Sequence, residues 1–147
     1  MVSQEDFGRL NQHKWHATTK DNRNFYASRV RYAGGKKSIL MHRDVMNPPD
    51  EMVVDHIDGN GLNNTRENLR IVTAAQNSYN QRKCRSRRTS KYKGVSLRKR
   101  DKKWTAAIMF QGILINLGFF EKEIDAAKAY DEAAKELYRE YACLNFK

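Results

Sequence analysis

VVDHIDGNGLNNTRENLRIVTAAQN, residues 53–77, is the stretch on which the reading of this chain turns. Met52 to Asp55 reads as a short buried strand and Leu69 to Val72 as a second. Between them, Ile57 to Glu67 is rich in Gly and Asn and reads as a loop with left-handed positions. Thr73-Ala-Ala-Gln76 is a capping box, which starts a helix and carries Asn77 onto its first turn or so. Within this frame Asp55 and His56 are adjacent, Asn68 follows twelve positions after the histidine, and Asn77 nine after that. A carboxylate, an imidazole and two carboxamides can hold one hard metal ion and one general base, which suffices to cut a phosphodiester bond. Adjacent residues of a regular strand point to opposite faces, so Asp55 and His56 share a site only if the strand bends or stops there. The Asp58-Gly59-Asn60 turn directly after favours that.

Upstream, Phe25 to Tyr32 and Lys37 to Met41 alternate as strands around the hairpin turn Ala33-Gly34-Gly35. His42 to Met46 reads as a short helical piece, stopped by Asn47-Pro48-Pro49. Downstream the pattern changes. Trp104, Ala106, Ile108 and Phe110 alternate, Gln111-Gly112 turns the chain, and Ile113, Ile115, Leu117 and Phe119 alternate next. From Glu121 to Tyr141 the apolar positions Ile124, Ala127, Tyr130, Ala134, Leu137 and Tyr141 recur at helical spacing, which predicts a helix laid on one face of that sheet. The expected organisation is a first domain over 1–81, a basic linker over 82–91 and a second domain over 92–147.

The formal net charge of +11 is concentrated: residues 82–103 hold twelve Lys or Arg against the single acid Asp101. The remainder of the chain therefore sums to about zero, and such a block is the footprint of a polyanion, most often nucleic acid. A solvated linker is the plainer alternative. Cys84 and Cys143 are the only cysteines and form no CxxC pair, too few for a zinc ribbon or finger and no framework of disulfides. With neither a long apolar run nor a secretory leader, a soluble cytoplasmic protein is expected, with no membrane partner and no small-molecule cofactor.

The stretch DHIDGNGLNNTRENLRIVTAAQN, with FYASRVRY and LMHRDVM before it, resembles the HNH motif of phage-type and mobile-intron homing endonucleases over roughly residues 15–80. That resemblance implies a ββα-metal fold at about 52–81 and a role for each matched residue. His56 would be the general base, and Asn68 would orient it or brace the loop. Asp55 and Asn77 would hold one divalent ion, Mg²⁺ first and Mn²⁺ as a substitute, with zinc not expected. Neutral imidazole suits the base near pH 7, because its unperturbed pKa is about 6.5. His42 is open between phosphate contact and hairpin packing. Asp58, Asn60, Asn63 and Asn64 are expected to be loop formers.

The segment from Ser90 to Phe146 closely resembles the Apetala-type, or ethylene-response-factor-type, DNA-binding domain of plant transcription factors. The marks are Tyr92-Lys93-Gly94-Val95, Trp104 before Thr105-Ala106-Ala107-Ile108, Leu117-Gly118-Phe119, Ala129-Tyr130-Asp131 and Leu144-Asn145-Phe146. The resemblance implies a three-stranded antiparallel sheet backed by one helix, its open face entering the major groove. Arg98 and Arg100 are candidates for base edges, and Lys93, Lys99, Lys102 and Lys103 for phosphates, with Arg85, Arg87 and Arg88 in the linker. Trp104 is either a groove contact or a core anchor, and its alternation with Ile108 and Phe110 favours the core. Ser96, Met109 and Asn116 depart from the plant pattern, so the plant target sequence does not follow.

The expectation is an α+β chain: a ββα-metal nuclease domain followed by a three-stranded antiparallel sheet packed on one α-helix. It would cut double-stranded DNA as a monomer or weak dimer. The alternative is a sequence-specific DNA-binding regulator with a silent HNH fold, which would bind DNA without Mg²⁺-dependent cleavage. A basic RNA-binding protein is a third class, marked by an exposed aromatic stacking surface.

Overall fold

The computed structural model describes residues 1–19, 24–32, 34–81 and 89–146. It is an α+β chain that divides into two compact units, Met1–Asn77 and Ser78–Lys147.

In the first unit, helix α1 (Gln4–Leu10) precedes a three-stranded antiparallel meander of β1 (His16–Thr19), β2 (Phe25–Arg31) and β3 (Lys37–Leu40). Neither α1 nor β1 is legible in the sequence. Phe7 of α1 is exposed while the carboxylate of Asp6 is buried, and His16-Ala-Thr-Thr shows no apolar alternation. Helix α2 (Met41–Met46) follows at once and ends on Asn47 in the left-handed region, ahead of Pro48-Pro49. The antiparallel pair β4 (Val53–His56) and β5 (Leu69–Val72) comes next, then α3 (Ala74–Asn80). The capping box forms as expected: Gln76 N–H donates to Thr73 Oγ1 at 3.2 Å, and Thr73 N–H to Gln76 Oε1 at 2.9 Å. Leu10, Met41, Val45, Val54 and Leu69 make the core, with Val2, Trp15, Ala27 and Met46 against it.

In the second unit, β6 (Val95–Leu97), β7 (Trp104–Phe110) and β8 (Ile113–Phe120) form an antiparallel sheet under helix α4 (Glu123–Tyr138). The buried stripe of α4 is Ala126, Ala127, Tyr130, Ala134 and Tyr138. Ile124, expected in that stripe, is 49% exposed, since the helix meets the sheet only from Ala126 onward. A second correction concerns β8. Its register shifts between Ala106 and Ala107, where Gly118 and Asn116 are the partners and Leu117 is the extra residue. A bulge of one residue exchanges the faces beyond it. Phe120, not Phe119, therefore joins the core, and Phe119 is turned out. The carboxy-terminal strap is tied down by Asp131, whose carboxylate accepts from Asn145 N–H and Phe146 N–H, each at 2.9 Å. Asn145 in turn accepts Lys93 N–H at 2.6 Å.

The division at Asn77/Ser78 falls ahead of the 82–91 linker expected from composition, because the tail of α3 packs with the second unit. Tyr79 stacks on Tyr138 with ring centroids 3.9 Å apart. No helix among the described residues is long and apolar enough to cross a membrane.

Gly94 has φ +73, and a Cβ there would lie 1.9 Å from the Tyr130 ring and 2.8 Å from the Ala107 carbonyl. Gly94→Ala should therefore cost this unit about 3 kcal/mol, from strained backbone and overpacking together. Urea unfolding followed through Trp104 in a Trp15→Phe background measures it; an unchanged midpoint would contradict the packing described.

Candidate functional site

Asp55 and His56 are the last two residues of β4, and each is 6% exposed. Their partners differ, as neighbouring strand positions require. Asp55 lies opposite Arg70 in the β4–β5 register, and Arg70 donates to Asp55 Oδ2 from Nε at 2.9 Å and from Nη2 at 2.7 Å. This clamp across the strands was not foreseen. His56 meets the edge of His42 with ring centroids 5.1 Å apart and Tyr26 at 6.0 Å, and its Nε2 is 3.3 Å from Asn64 Oδ1. The strand stops there: Gly59 N–H donates back to the His56 carbonyl at 2.9 Å.

Asn68 braces the loop. Its side-chain oxygen accepts Asp58 N–H at 3.0 Å, and its amide donates to Asp58 Oδ1 at 3.0 Å and to the Asn63 carbonyl at 2.8 Å. Asp58, Asn60 and Asn63 are loop formers as expected, with Asp58 Oδ1 accepting Asn60 N–H at 2.7 Å. Burial works to raise the Asp58 carboxyl, yet hydrogen bonds from Asn63, Asn60 and Asn68 hold it below the usual carboxylate range. Asn64 is the exception, turned inward onto the histidine and 1% exposed. Gly61 is pressed against β2; a Cβ there would come within 2.5 Å of the Tyr26 ring and the Phe25 carbonyl. Asn77 is half-buried on α3, the fourth residue of that helix, with its N–H on the Thr73 carbonyl at 3.0 Å.

Burial pushes the His56 imidazole below its ordinary value, and Asn64, Asp58 and Asp55 offset only part of that. His42 goes further. Burial first, then the charges of His56 and Arg43, push it down to about 4, and its Nδ1 is buried with no hydrogen-bond partner among the described residues. Between phosphate contact and packing, the structure places His42 inside, at 6% exposure. Among the described residues no group of three or more His, Cys, Asp or Glu could hold a metal ion.

A family model described as HNH endonuclease matches residues 47–79. This stretch is therefore similar to the HNH endonuclease family. The chain is also similar to an uncharacterized HNH endonuclease of Acanthamoeba polyphaga mimivirus, 37% identical over 97 residues, 66% of this chain and 49% of that one. It is 38% identical over 64 residues to Protein 3.8 of Escherichia phage T7, 44% of this chain and 52% of that one. The chain thus spans about half the length of the curated relatives it matches. No solved structure matches it. Asp55, His56, Asn68 and Asn77 all lie inside the HNH stretch; Tyr26 and His42 lie ahead of it and were brought to His56 by folding alone.

The basic residues of the second unit separate into groups. Lys99, Arg100 and Lys102 are exposed in the turn between β6 and β7. Arg98 lies over the Phe119 ring at 4.1 Å and is paired with Asp101, which that contact draws down to about 2. Lys103 pairs with Glu121 at 3.0 Å. Lys93 corrects its assignment to phosphate: the ammonium faces inward and donates to the Tyr79 carbonyl at 2.6 Å, and burial pushes its pKa down. Trp104 packs on the Val95, Ala106, Ala126 and Ala127 cluster, the core alternative of the two it was given. Arg85, Arg87 and Arg88 lie outside the described residues.

Folded His42 resists protonation down to about 4, whereas the unfolded chain takes that proton near 6.5. Stability from this group is therefore present above 6.5 and lost as pH falls towards 4, up to about 3 kcal/mol. Urea midpoints read through Trp15 at pH 7.5 and 4.5 should differ more for wild type than for His42→Leu; equal differences would refute the buried neutral imidazole.

Proposed function

We propose that this chain is a metal-dependent endonuclease that hydrolyses phosphodiester bonds in double-stranded DNA, in the manner of a homing endonuclease. The observation that supports it best is the end of β4. There an HNH stretch sets a buried carboxylate beside a buried histidine, directly before a hydrogen-bonded loop. His56 is the general base. Kept neutral by burial, it has a lone pair at physiological pH to take the proton of the attacking water. Asn68 holds the loop that follows, so the histidine keeps its place at the strand end.

Asp55 and Asn77 would hold one divalent cation, Mg²⁺ or in its place Mn²⁺. One carboxylate and one carboxamide are hard oxygen donors, and so small a set suits an ion that keeps several positions for water and phosphate. The chemistry supplied by the bound ion is polarisation of the scissile phosphate and stabilisation of the departing 3′ oxygen. Arg70 aims the Asp55 carboxylate from the neighbouring strand.

The second unit is the DNA reader. Its sheet has one face covered by α4 and the other open, with the exposed cations Lys99, Arg100 and Lys102 in the β6–β7 turn. Lys99 and Lys102 serve phosphates, Arg100 and Arg98 base edges. A covalent tether between reader and cutter raises the local concentration of the nuclease once the reader is docked. One site per chain nicks one strand, and a double cut needs a dimer or two events.

Supercoiled plasmid incubated with Mg²⁺ should give nicked circles, none with EDTA, and about 10²- to 10⁴-fold slower nicking with His56→Ala. Cleavage that persists in EDTA, or that is untouched by His56→Ala, would overturn the assignment. Lys102→Ala should weaken binding to every duplex alike and reduce the salt dependence by about one phosphate contact. A loss confined to one sequence would show a base contact instead.

A further inference from the structure

We propose that Asn64 positions the general base: its side-chain oxygen accepts the proton on His56 Nε2, which leaves the lone pair that takes the water's proton on Nδ1. The inference rests on the nuclease reading for the role of His56, while the placement of the ring proton can be measured without it. Nothing in the sequence sets Asn64 apart from the other loop asparagines.

The aromatic neighbours of His56 cannot select its tautomer. His42 meets His56 edge-on at 90° with centroids 5.1 Å apart, and Tyr26 lies at 6.0 Å. Such walls restrict the plane of the imidazole, but a neutral ring still has two tautomers, and only a polar partner distinguishes them. Asn64 Oδ1 stands 3.3 Å from Nε2, and a carbonyl oxygen can only accept. The bond therefore exists with the proton on Nε2.

The energetics of Asn64 point the same way. It is among the largest fully buried side chains, and its Nδ2 is buried without a hydrogen-bond partner among the described residues. An unpaired buried amide destabilises the fold, and an apolar side chain of similar size would avoid that. Stability alone would favour leucine at this position. Asparagine is accounted for by the bond to His56.

The backbone that carries Asn64 is held from outside the loop. Asn64 N–H donates to the Met1 carbonyl at 2.8 Å, and Val2 forms an isolated parallel bridge with Asn64. Two residues on, Arg66 N–H donates to Ser3 Oγ at 2.8 Å, and its guanidinium grips the buried Asp6 through Nε at 2.7 Å and Nη2 at 2.9 Å. The segment ahead of the meander is thus a brace for the loop that aims the base.

The test uses the full chain labelled with ¹⁵N-histidine, free of metal, at neutral pH. Wild-type His56 should show a protonated Nε2 and an unprotonated Nδ1. Asn64→Leu should keep or raise the thermal midpoint, mix the tautomers, and lower kcat for plasmid nicking about 10- to 100-fold with KM for DNA unchanged. Asn64→Asp, which keeps an acceptor at the same place, should restore the Nε2-protonated ring. A wild-type ring protonated on Nδ1 would overturn the inference whatever the variants do. So would an Asn64→Leu chain that folds and nicks at the wild-type rate. A wild type that never cleaves would instead remove the nuclease reading, and the ring signals would still decide where the proton sits.

Discussion

The pairing of β4 with β5 is the constraint on which the site depends. In this register Asp55 faces Arg70 and His56 faces Leu69, and the ladder ends where the loop begins. The strand stops at His56, and the carboxylate and the imidazole at its end are anchored by different sets of residues. Arg70 takes one, while Tyr26, His42 and Asn64 enclose the other. Neither residue is left to the loop, and a site carried on the end of a paired strand can be held more exactly than one built on loops. A slip of one residue would exchange the two faces and destroy both environments together.

The first unit keeps buried polar atoms that a purely structural domain would avoid. Arg29 Nε, His42 Nδ1 and Asn64 Nδ2 are buried without hydrogen-bond partners among the described residues. His42 and Asn64 surround His56 directly. Local conflicts of this kind concentrate at functional positions, where stability is given up for a fixed arrangement of polar groups. The second unit shows the opposite habit. Its buried carboxylate, Asp131, is saturated by Asn145 and Phe146, and its inward lysine is matched to a carbonyl.

Much of the architecture was legible because short-range rules govern it. The diproline stops α2, the capping box starts α3, and the Gly/Asn-rich run makes a self-bonded loop. Alternation locates β7 and most of β8, but counting by twos cannot anticipate a bulge: it groups Phe119 with Leu117, whereas Phe120 is the residue that packs on the core. Charge counting found the basic block yet could not tell which cations are spoken for. Lys93 is turned inward, Lys103 is paired, and Lys99, Arg100 and Lys102 are exposed.

By itself, the sequence determined the identity and spacing of Asp55, His56, Asn68 and Asn77, along with the strand–loop–strand–helix order that carries them. These are local in the chain and follow from pattern, turn chemistry and capping. Tertiary structure alone decided what surrounds them. Tyr26 and His42 reach His56 from fourteen or more residues upstream in separate elements, Asp6 reaches Arg66 across 60 residues, and Asn64 is singled out from its neighbours only by pointing inward. The physical reason is that burial and long-range hydrogen bonds are properties of the packed core, and no window of residues along the chain contains both partners.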